Sequence, residues 1–257
     1  SLYGLSFGKA YLIVAKETYT MTEDGQQACV GQEYSRWSFD LETGEMVELM
    51  TDTDGILPYM YGVWEDIAVY QTVKTVEGAP EFEEWIMQQP EGTTSYQYGL
   101  QYYKYRVYSK NLKTGEEKTI VDESENFVWT ADPHMSWGQY VVYQIDRSVY
   151  VYDMETQTSK KLFTHDPGWD FYNYMILDGH VMVIGGTEAT CRAWAVDIAD
   201  GSVIELDTRG GNVVAFGANY ECNGYFAGLK RNSSGDFEQC YISKEDFYRS
   251  NYDGTFS

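Results

Sequence analysis

A strand–turn–strand pattern that recurs four times is the feature that most constrains the fold of this 257-residue chain. Each copy has an aromatic residue, two variable residues, Asp or Asn, an apolar residue, a variable residue, Thr or Asp, and Gly or Gln. The copies are Trp37–Gly44, Tyr108–Gly115, Tyr150–Gln157 and Trp194–Gly201. Each copy precedes a short β-favouring run, as in a hairpin. Because Asp and Asn side chains can bond turn amides, the pattern predicts structural roles for Asp40, Asn111, Asp153 and Asp197.

A second repeat, a turn followed by a β-rich run, lies upstream of these copies. Its members are Ser6–Ile13, Val63–Tyr70, Ser136–Tyr143, Ile176–Val183 and a looser copy, Asn219–Phe226. Equivalent positions 7, 64, 137, 177 and 220 are separated by 57, 73, 40 and 43 residues. Four short strands per unit of about 40–45 residues are typical of a β-propeller blade. The spacing predicts an all-β fold: one β-propeller domain over residues 1–257, with five recognisable four-stranded blades and two insertions.

The repeats also resemble those of a known family. Val149–Asp166 is similar to the strand–turn–strand unit of TolB-like propeller repeats, and Asp166–Trp169 with Met175–Val181 is similar to their blade-linking segment. The usual Ser-Pro-Asp-Gly turn of the family is absent, and only Leu177–Gly179 approaches it. The resemblance implies the propeller fold. The family includes propellers that bind partners and propellers attached to peptidase domains.

Two long segments between the second and third strands of blades are predicted to be loops, Thr18–Glu33 in the first blade and Lys74–Tyr103 in the second. Long loops on a rigid scaffold are where binding function tends to lie. Within the second loop, the stretch from Pro80 to Pro90 predicts a short amphipathic helix, since Phe82, Trp85 and Ile86 follow the i, i+3, i+4 spacing. This helix either packs its apolar face on the adjacent blade or serves as a partner-contact element or lid. At least some of the tyrosines after it, Tyr96, Tyr98, Tyr102 and Tyr103, are expected to extend the blade as strand residues.

Charge and cysteine usage exclude several functions. Forty Asp and Glu against 18 Lys and Arg give a net charge of −22, which argues against binding to nucleic acid or to an anionic membrane. No run of 18 apolar residues exists, so no membrane span is predicted.

The four cysteines have no CxxC spacing and no neighbouring His, which disfavours a zinc site. We expect no metal and no cofactor, and a monomeric, exported bacterial protein at the cell surface or outside the cell.

The candidate site residues are mostly aromatic and lie in or beside the predicted innermost strands and the insertion. They are Trp129, Asp132, His134, His165, Trp169, Asp170, Tyr172, Tyr59 and Trp85. Exposed Trp and Tyr side chains stack on sugars or anchor protein partners. The favoured function is therefore non-catalytic recognition of a protein or glycan on the face that bears the long loops, with no catalytic residue assigned.

The alternative function is a glycoside hydrolase of the five-bladed propeller type. Such enzymes need two carboxylates about 5–10 Å apart at a substrate pocket. Asp132, Asp166 and Asp170 are the carboxylates that the repeat positions allow to converge.

Overall fold

The computed structural model describes residues 2–22, 24–51, 58–124, 128–129, 136–166, 168, 171–187, 190–207, 220–231 and 236–252. Strands dominate, and the strands of each sheet pair in antiparallel fashion. The chain divides into two compact units. The N-terminal unit is Ser1–Asp146 with Tyr152–Ser159, and the C-terminal unit is Arg147–Val151 with Lys160–Ser257. The predicted all-β class is confirmed.

Two four-stranded sheets belong to the N-terminal unit, and in both the strands neighbour one another in chain order. The first sheet contains β1 (Leu2–Ser6), β2 (Lys9–Met21), β3 (Gln27–Asp40) and β4 (Met46–Thr51). The second contains β5 (Tyr59–Trp64), β6 (Ile67–Thr75), β7 (Tyr103–Asn111) and β8 (Glu117–Ser124). Apolar side chains from both sheets form one core, in which the rings of Tyr70 and Tyr108 stack at 5.6 Å.

A third sheet has the strand order β10-β11-β12-β13, and β9 also pairs with β11. Its strands are β9 (Val128–Trp129), β10 (Ser136–Trp137), β11 (Tyr140–Ile145), β12 (Ser148–Asp153) and β13 (Thr158–Thr164).

The C-terminal unit contains two further sheets and one helix. The four-stranded sheet is β14 (Phe171–Leu177), β15 (His180–Thr187), β16 (Thr190–Asp197) and β17 (Val203–Leu206). The three-stranded sheet is β18 (Tyr220–Cys222), β19 (Tyr225–Arg231) and β20 (Phe237–Ser243), followed by helix α3 (Lys244–Tyr248). Phe247 of α3 is buried in a core with Met182, Phe226 and Ile242. A helix therefore follows β20 where the repeat pattern places a fourth strand.

The repeated Asp or Asn residues cap the predicted turns. The Oδ1 of Asp40 accepts hydrogen bonds from the amides of Glu42 at 3.0 Å and Thr43 at 2.8 Å. The equivalent oxygens of Asn111, Asp153 and Asp197 accept in the same way from the amides two and three residues ahead. These bonds stabilise the ionised form and lower the pKa of the Asp40 carboxyl. The predicted structural role of all four residues is confirmed.

The prediction of a loop over Thr18–Glu33 is wrong, because β2 and β3 continue through most of it. Their residues pair from Lys9 with Asp40 to Met21 with Gln27. A tight turn then closes the hairpin, where Gly25 has a φ of 78° and its amide donates to the carbonyl of Thr22 at 2.9 Å. The segment looked like a loop because both of its faces are polar, although its Thr, Tyr and Val residues favour strands.

The insertion between β6 and β7 contains α1 (Phe82–Ile86) and α2 (Ser95–Tyr102). Of the tyrosines expected to extend the blade, Tyr103 begins β7 as a strand residue, whereas Tyr96, Tyr98 and Tyr102 lie in α2. A capping box starts α2, in which the side chain of Gln97 accepts from the amide of Thr94 at 2.9 Å.

The apolar side chains of this insertion pack mainly on one another. Trp85 lies 5.3 Å from Tyr98 and 6.4 Å from Tyr102 between ring centroids, and the Tyr98 hydroxyl donates to the carbonyl of Pro80 at 2.6 Å. Trp85 is only 6% exposed. Beyond the helices, the amide of Val76 donates to the carbonyl of Tyr102 at 2.7 Å, which brings the two ends of the insertion together.

We therefore expect the second sheet to tolerate loss of the insertion. Deleting Val76–Tyr102 and joining Thr75 to Tyr103 with a short Gly-Ser turn should leave a cooperatively folded protein, because these two residues already pair and allow an ordinary hairpin. Circular dichroism and a urea unfolding curve would test this. A matched deletion within the hairpin Tyr140–Asp153 should prevent folding; if the insertion deletion does the same, its aromatic cluster belongs to the essential core.

Candidate functional site

The predicted site residues divide into three groups. Asp132, His134, Trp169 and Asp170 lie outside the described residues, and the site prediction remains untested there. Trp129 lies in β9 and Tyr172 in β14, where the structure describes the backbone. The remaining three are described in full: Tyr59, Trp85 and His165.

Tyr59 and Trp85 both belong to the N-terminal unit. Tyr59 begins β5, and its ring lies 5.0 Å from that of Tyr61. Trp85 is enclosed by the aromatic side chains of the insertion. His165 belongs to the C-terminal unit and lies at a cavity.

The cavity of the C-terminal unit has a volume of about 480 Å³. That volume falls within the usual range for small-molecule sites. Its apolar wall comes from successive strands of one sheet, together with the end of β13. The lining residues are Phe163, Thr164, His165, Asp166, Val183, Arg192, Trp194, Val196 and Val203. The cavity thus combines a hydrophobic wall with one imidazole, one carboxylate and one guanidinium.

His165 is the most deeply buried polar residue of this lining, at 2% exposure. The backbone fixes its position, since its amide donates to the carbonyl of Arg147 at 2.7 Å and its carbonyl accepts from Arg147 Nη1 at 3.3 Å. Phe163 contacts the imidazole edge to face at 5.2 Å. Burial, and secondarily the Arg147 charge, lowers the pKa of His165 to about 4. The imidazole is therefore neutral at pH 7, because burial disfavours its protonated form.

Arg192 and Trp194 are two residues apart on β16, so both side chains project from the same face of the sheet. The Arg192 guanidinium lies over the Trp194 ring, 4.9 Å from its centroid. Its Nη2 also donates to Glu205 Oε1 of β17 at 2.9 Å. The side chains of Arg192 and Glu205 are 56% and 62% exposed, so this ion pair contributes little to stability and can exchange for a ligand.

Asp166 is the carboxylate among the lining residues, and it also has a local structural role. Its Oδ1 accepts from the amide of Gly168 at 2.8 Å, so one oxygen is engaged in a turn. The residue is exposed and directly follows His165 in the chain. It therefore adds negative charge at the entrance of the cavity.

Sequence reasoning singled out His165 but missed Arg192 and Trp194. Trp194 occupies the aromatic position of the strand–turn–strand repeat, which indicated packing rather than a site. The signal that could have identified the pair is the Arg-x-Trp spacing on one strand, because alternate residues share a face.

A second cluster of titratable groups in the C-terminal unit joins α3 to the β14–β15 turn. Lys244 Nζ pairs with Asp178 Oδ1 at 2.7 Å and with Glu221. The Tyr248 hydroxyl donates to Asp178 Oδ2 at 3.0 Å and lies 3.1 Å from His180 Nδ1. These groups engage one another, which assigns the cluster to anchoring α3.

Two further findings concern metals and membranes. Within the described ranges, His, Cys, Asp and Glu side chains do not gather in groups of three or more that could hold a metal ion. In the same part of the chain, we find no helix long and apolar enough to cross a membrane.

Comparisons with solved structures identify proteins with a similar fold. An oligogalacturonate lyase in complex with manganese matches with a TM-score of 0.53 at 13% identity, over 84% of this chain and 60% of that one. The β-propeller domain of the trilobed protease from Pyrococcus furiosus matches with a TM-score of 0.47 at 13% identity, over 92% and 78%. TolB from Acinetobacter baumannii matches with a TM-score of 0.35 at 9% identity, over 91% and 56%.

TolB and a β-propeller domain are thus among the solved structures that the chain resembles, in line with the TolB-like repeats of the sequence. The chain spans three fifths of the length of the lyase that it resembles. No protein-family model matches the chain. No curated protein matches its sequence.

The prediction of a non-catalytic binding scaffold is contradicted by these comparisons. The oligogalacturonate lyase, which this chain resembles in fold, is an enzyme. Fold similarity at this identity carries no substrate over to this chain. It does point away from a purely non-catalytic scaffold.

Proposed function

We propose that this chain is an enzyme that cleaves glycosidic bonds in short acidic oligosaccharides, at the cavity of the C-terminal unit. The observation that carries the proposal is a neutral, 2% exposed imidazole, that of His165, in the same cavity as the exposed guanidinium of Arg192. Similarity to the fold of an oligogalacturonate lyase supports it. We further propose that the five sheets are blades of one propeller, as the repeated hairpins indicate.

His165 is the proposed general base. In a uronic acid sugar, the carbon next to the carboxylate carries an acidic hydrogen. The imidazole takes this proton, a carbon–carbon double bond forms in the ring, and the bond from the adjacent carbon to the glycosidic oxygen breaks. The departing oxygen is protonated by solvent. Hydrogen bonds to Arg147 hold the backbone of His165 in place, and a pKa of about 4 keeps the imidazole uncharged at neutral pH, as a weaker base than an ordinary imidazole.

Arg192 is the proposed partner of the substrate carboxylate. A guanidinium binds a carboxylate through two parallel hydrogen bonds, and its charge stabilises the negative charge that develops as the neighbouring proton leaves. The Trp194 ring holds the guanidinium from one side. The Glu205 carboxylate remains paired with the Arg192 guanidinium until a substrate carboxylate takes its place.

The net charge of −22 repels an anionic substrate at long range but does not prevent contact at this site. Salt at about 0.1 M screens charges beyond about 10 Å, whereas a bound carboxylate lies at hydrogen-bond distance from Arg192. Short oligosaccharides suffer less of this repulsion than long polymers, so the proposed substrates are short.

Paired-carboxylate hydrolysis has less support from the same cavity. It requires two carboxylates that face one sugar. The described lining contributes Asp166, while Asp132 and Asp170 lie outside the described residues. The products separate the two reactions, since elimination leaves an unsaturated sugar and hydrolysis does not.

Incubation with oligogalacturonate should give an unsaturated product, detected by ultraviolet absorbance and mass. His165→Gln should lower kcat/KM about 100-fold, the lower range for loss of a general base. The matched control His180→Gln, which changes a histidine away from the cavity, should leave kcat/KM unchanged. Because the pKa of His165 is lowered to about 4, its contribution should persist at neutral pH and be lost only as the pH falls through about 4.

Arg192→Met should raise KM for acidic oligosaccharides, whereas Arg249→Met, at an exposed ion pair with Glu245, should not. Saturated products that still require His165 would indicate hydrolysis. No turnover of acidic or neutral oligosaccharides would contradict the proposed function.

A further inference from the structure

The first hairpin extends well beyond its sheet as a two-stranded ribbon. β1 pairs with β2 only as far as Leu12, and β4 pairs with β3 only over Ser35–Phe39. Beyond these points β2 and β3 continue together to the pair Met21–Gln27. We call residues Val14–Tyr34 the ribbon.

An isolated two-stranded ribbon is marginally stable in water, and its edges present backbone groups that can pair with another strand. Among the described residues, no strand pairs with the outer edge of β2 from Val14 to Met21. The other edge, on β3, is interrupted by the irregular register between the pairs Thr18–Gly31 and Tyr19–Cys29. The β2 edge is therefore the one suited to strand addition.

The side chains along this edge favour an added strand over solvent. Val14, Tyr19 and Met21 are 38%, 52% and 63% exposed, although they are large and apolar. Thr18 and Thr20 are β-branched and favour strands. One cation, Lys16, lies on this edge, and it is already paired with Glu33 at 3.1 Å.

We propose that the β2 edge binds the β2 edge of a second copy of this chain, in antiparallel register about a two-fold axis at Thr18. Opposite side chains of an antiparallel pair lie on the same face, so such an axis must pass between two equivalent residues. An axis at Lys16 places two ammonium groups opposite each other, and an axis at Glu17 places two carboxylates opposite each other. Both arrangements are destabilising.

An axis at Thr18 avoids both clashes and pairs compatible groups. Glu17 faces Tyr19 of the second copy, a carboxylate opposite a phenol. Ala15 faces Met21, which are both apolar, and Lys16 faces Thr20. Within one chain the Tyr19 hydroxyl already donates to Glu17, so these two groups are suited to each other's chemistry. The complementarity of the edge with itself is the reason to choose a second copy as its occupant.

The inference replaces the expected monomer by a dimer, and it does not depend on the proposed enzymatic activity. Strand addition alone gives a small interface, so the dimer should be weak and should dissociate on dilution. Light scattering across a concentration series should show the molar mass rising towards twice that of the chain. Thr18→Lys, which sets two cations opposite each other, should keep the protein monomeric with an unchanged circular dichroism spectrum.

Disulfide trapping tests the register. In a Cys29→Ser background, Thr18→Cys should give a disulfide dimer under mild oxidation, because opposite Cα atoms lie within bridging distance. Thr20 lies on the same face and edge as Thr18, but in this register it faces Lys16 of the second copy. The matched variant Thr20→Cys should therefore crosslink at least about 10-fold less. A protein that stays monomeric at every concentration overturns the proposal, and so does equal crosslinking by the two variants.

Discussion

Replacing Phe247 by alanine is expected to lower the free energy of unfolding by about 3–5 kcal/mol, the usual cost of removing a buried phenylalanine side chain. Phe247 is 2% exposed, and its ring contacts that of Phe226 edge to face at 5.0 Å. It belongs to the helix that follows the three-stranded sheet, so the cavity left behind would open the core between β20 and α3.

Urea unfolding of Phe247→Ala beside Tyr241→Ala measures this effect. Tyr241 lies on β20 but is 46% exposed, so its loss should change stability by about 0.5 kcal/mol or less. If Phe247→Ala costs no more than Tyr241→Ala, α3 is only loosely attached and the core of this unit lies elsewhere.

Gly186→Ala is expected to cost about 3–5 kcal/mol, since it combines backbone strain with a direct overlap. Gly186 has a φ of 154°, which L-residues rarely adopt, and a Cβ at this position would lie 1.9 Å from the carbonyl oxygen of Thr190. The overlap is with backbone, so no side-chain rotation relieves it, and the β15–β16 hairpin would have to open.

Gly115→Ala is the matched control. Gly115 also has a positive φ, 76°, but a Cβ at this position would meet nothing within 4 Å, so the cost should be the conformational penalty alone. That penalty is about 1–2 kcal/mol. Comparison of the two thermal midpoints separates overlap from strain. If both variants lower the thermal midpoint equally, the backbone around Gly186 shifts to relieve the overlap with Thr190 at no cost in free energy.

The sequence predicted those parts of the fold that depend on local chemistry. The turn at Asp40 needs only one carboxylate and the next amides along the chain, so its motif identifies it without any tertiary contact. The ribbon at Thr18 was misassigned because a strand exposed on both faces has no hydrophobic alternation to distinguish it from a loop. Helix α2 was misassigned because β-favouring tyrosines outweighed the capping signal of Thr94 and Gln97.

The candidate site was predicted in part for a related reason. His165 could be selected because histidine is rare in this chain, with three in 257 residues. Arg192 and Trp194 are brought to the same cavity as His165 by the pairing of β15, β16 and β17. These strands are distant from His165 in the chain, and their pairing cannot be identified from any single position of the sequence. Residue type thus predicted His165, while the rest of the cavity lining depends on the pairing of the sheet.

The four turn caps differ in one respect that affects the whole chain. Three are carboxylates, at Asp40, Asp153 and Asp197, and one is a carboxamide, at Asn111. Because the pKa of Asp40 is lowered in the folded state, its stabilisation is complete above its ordinary pKa and is lost as the pH falls through the lowered value. Asn111 does not titrate. Strong acid should therefore weaken the cap of the first-sheet hairpin at Asp40 and leave the Asn111 cap of the second-sheet hairpin in place.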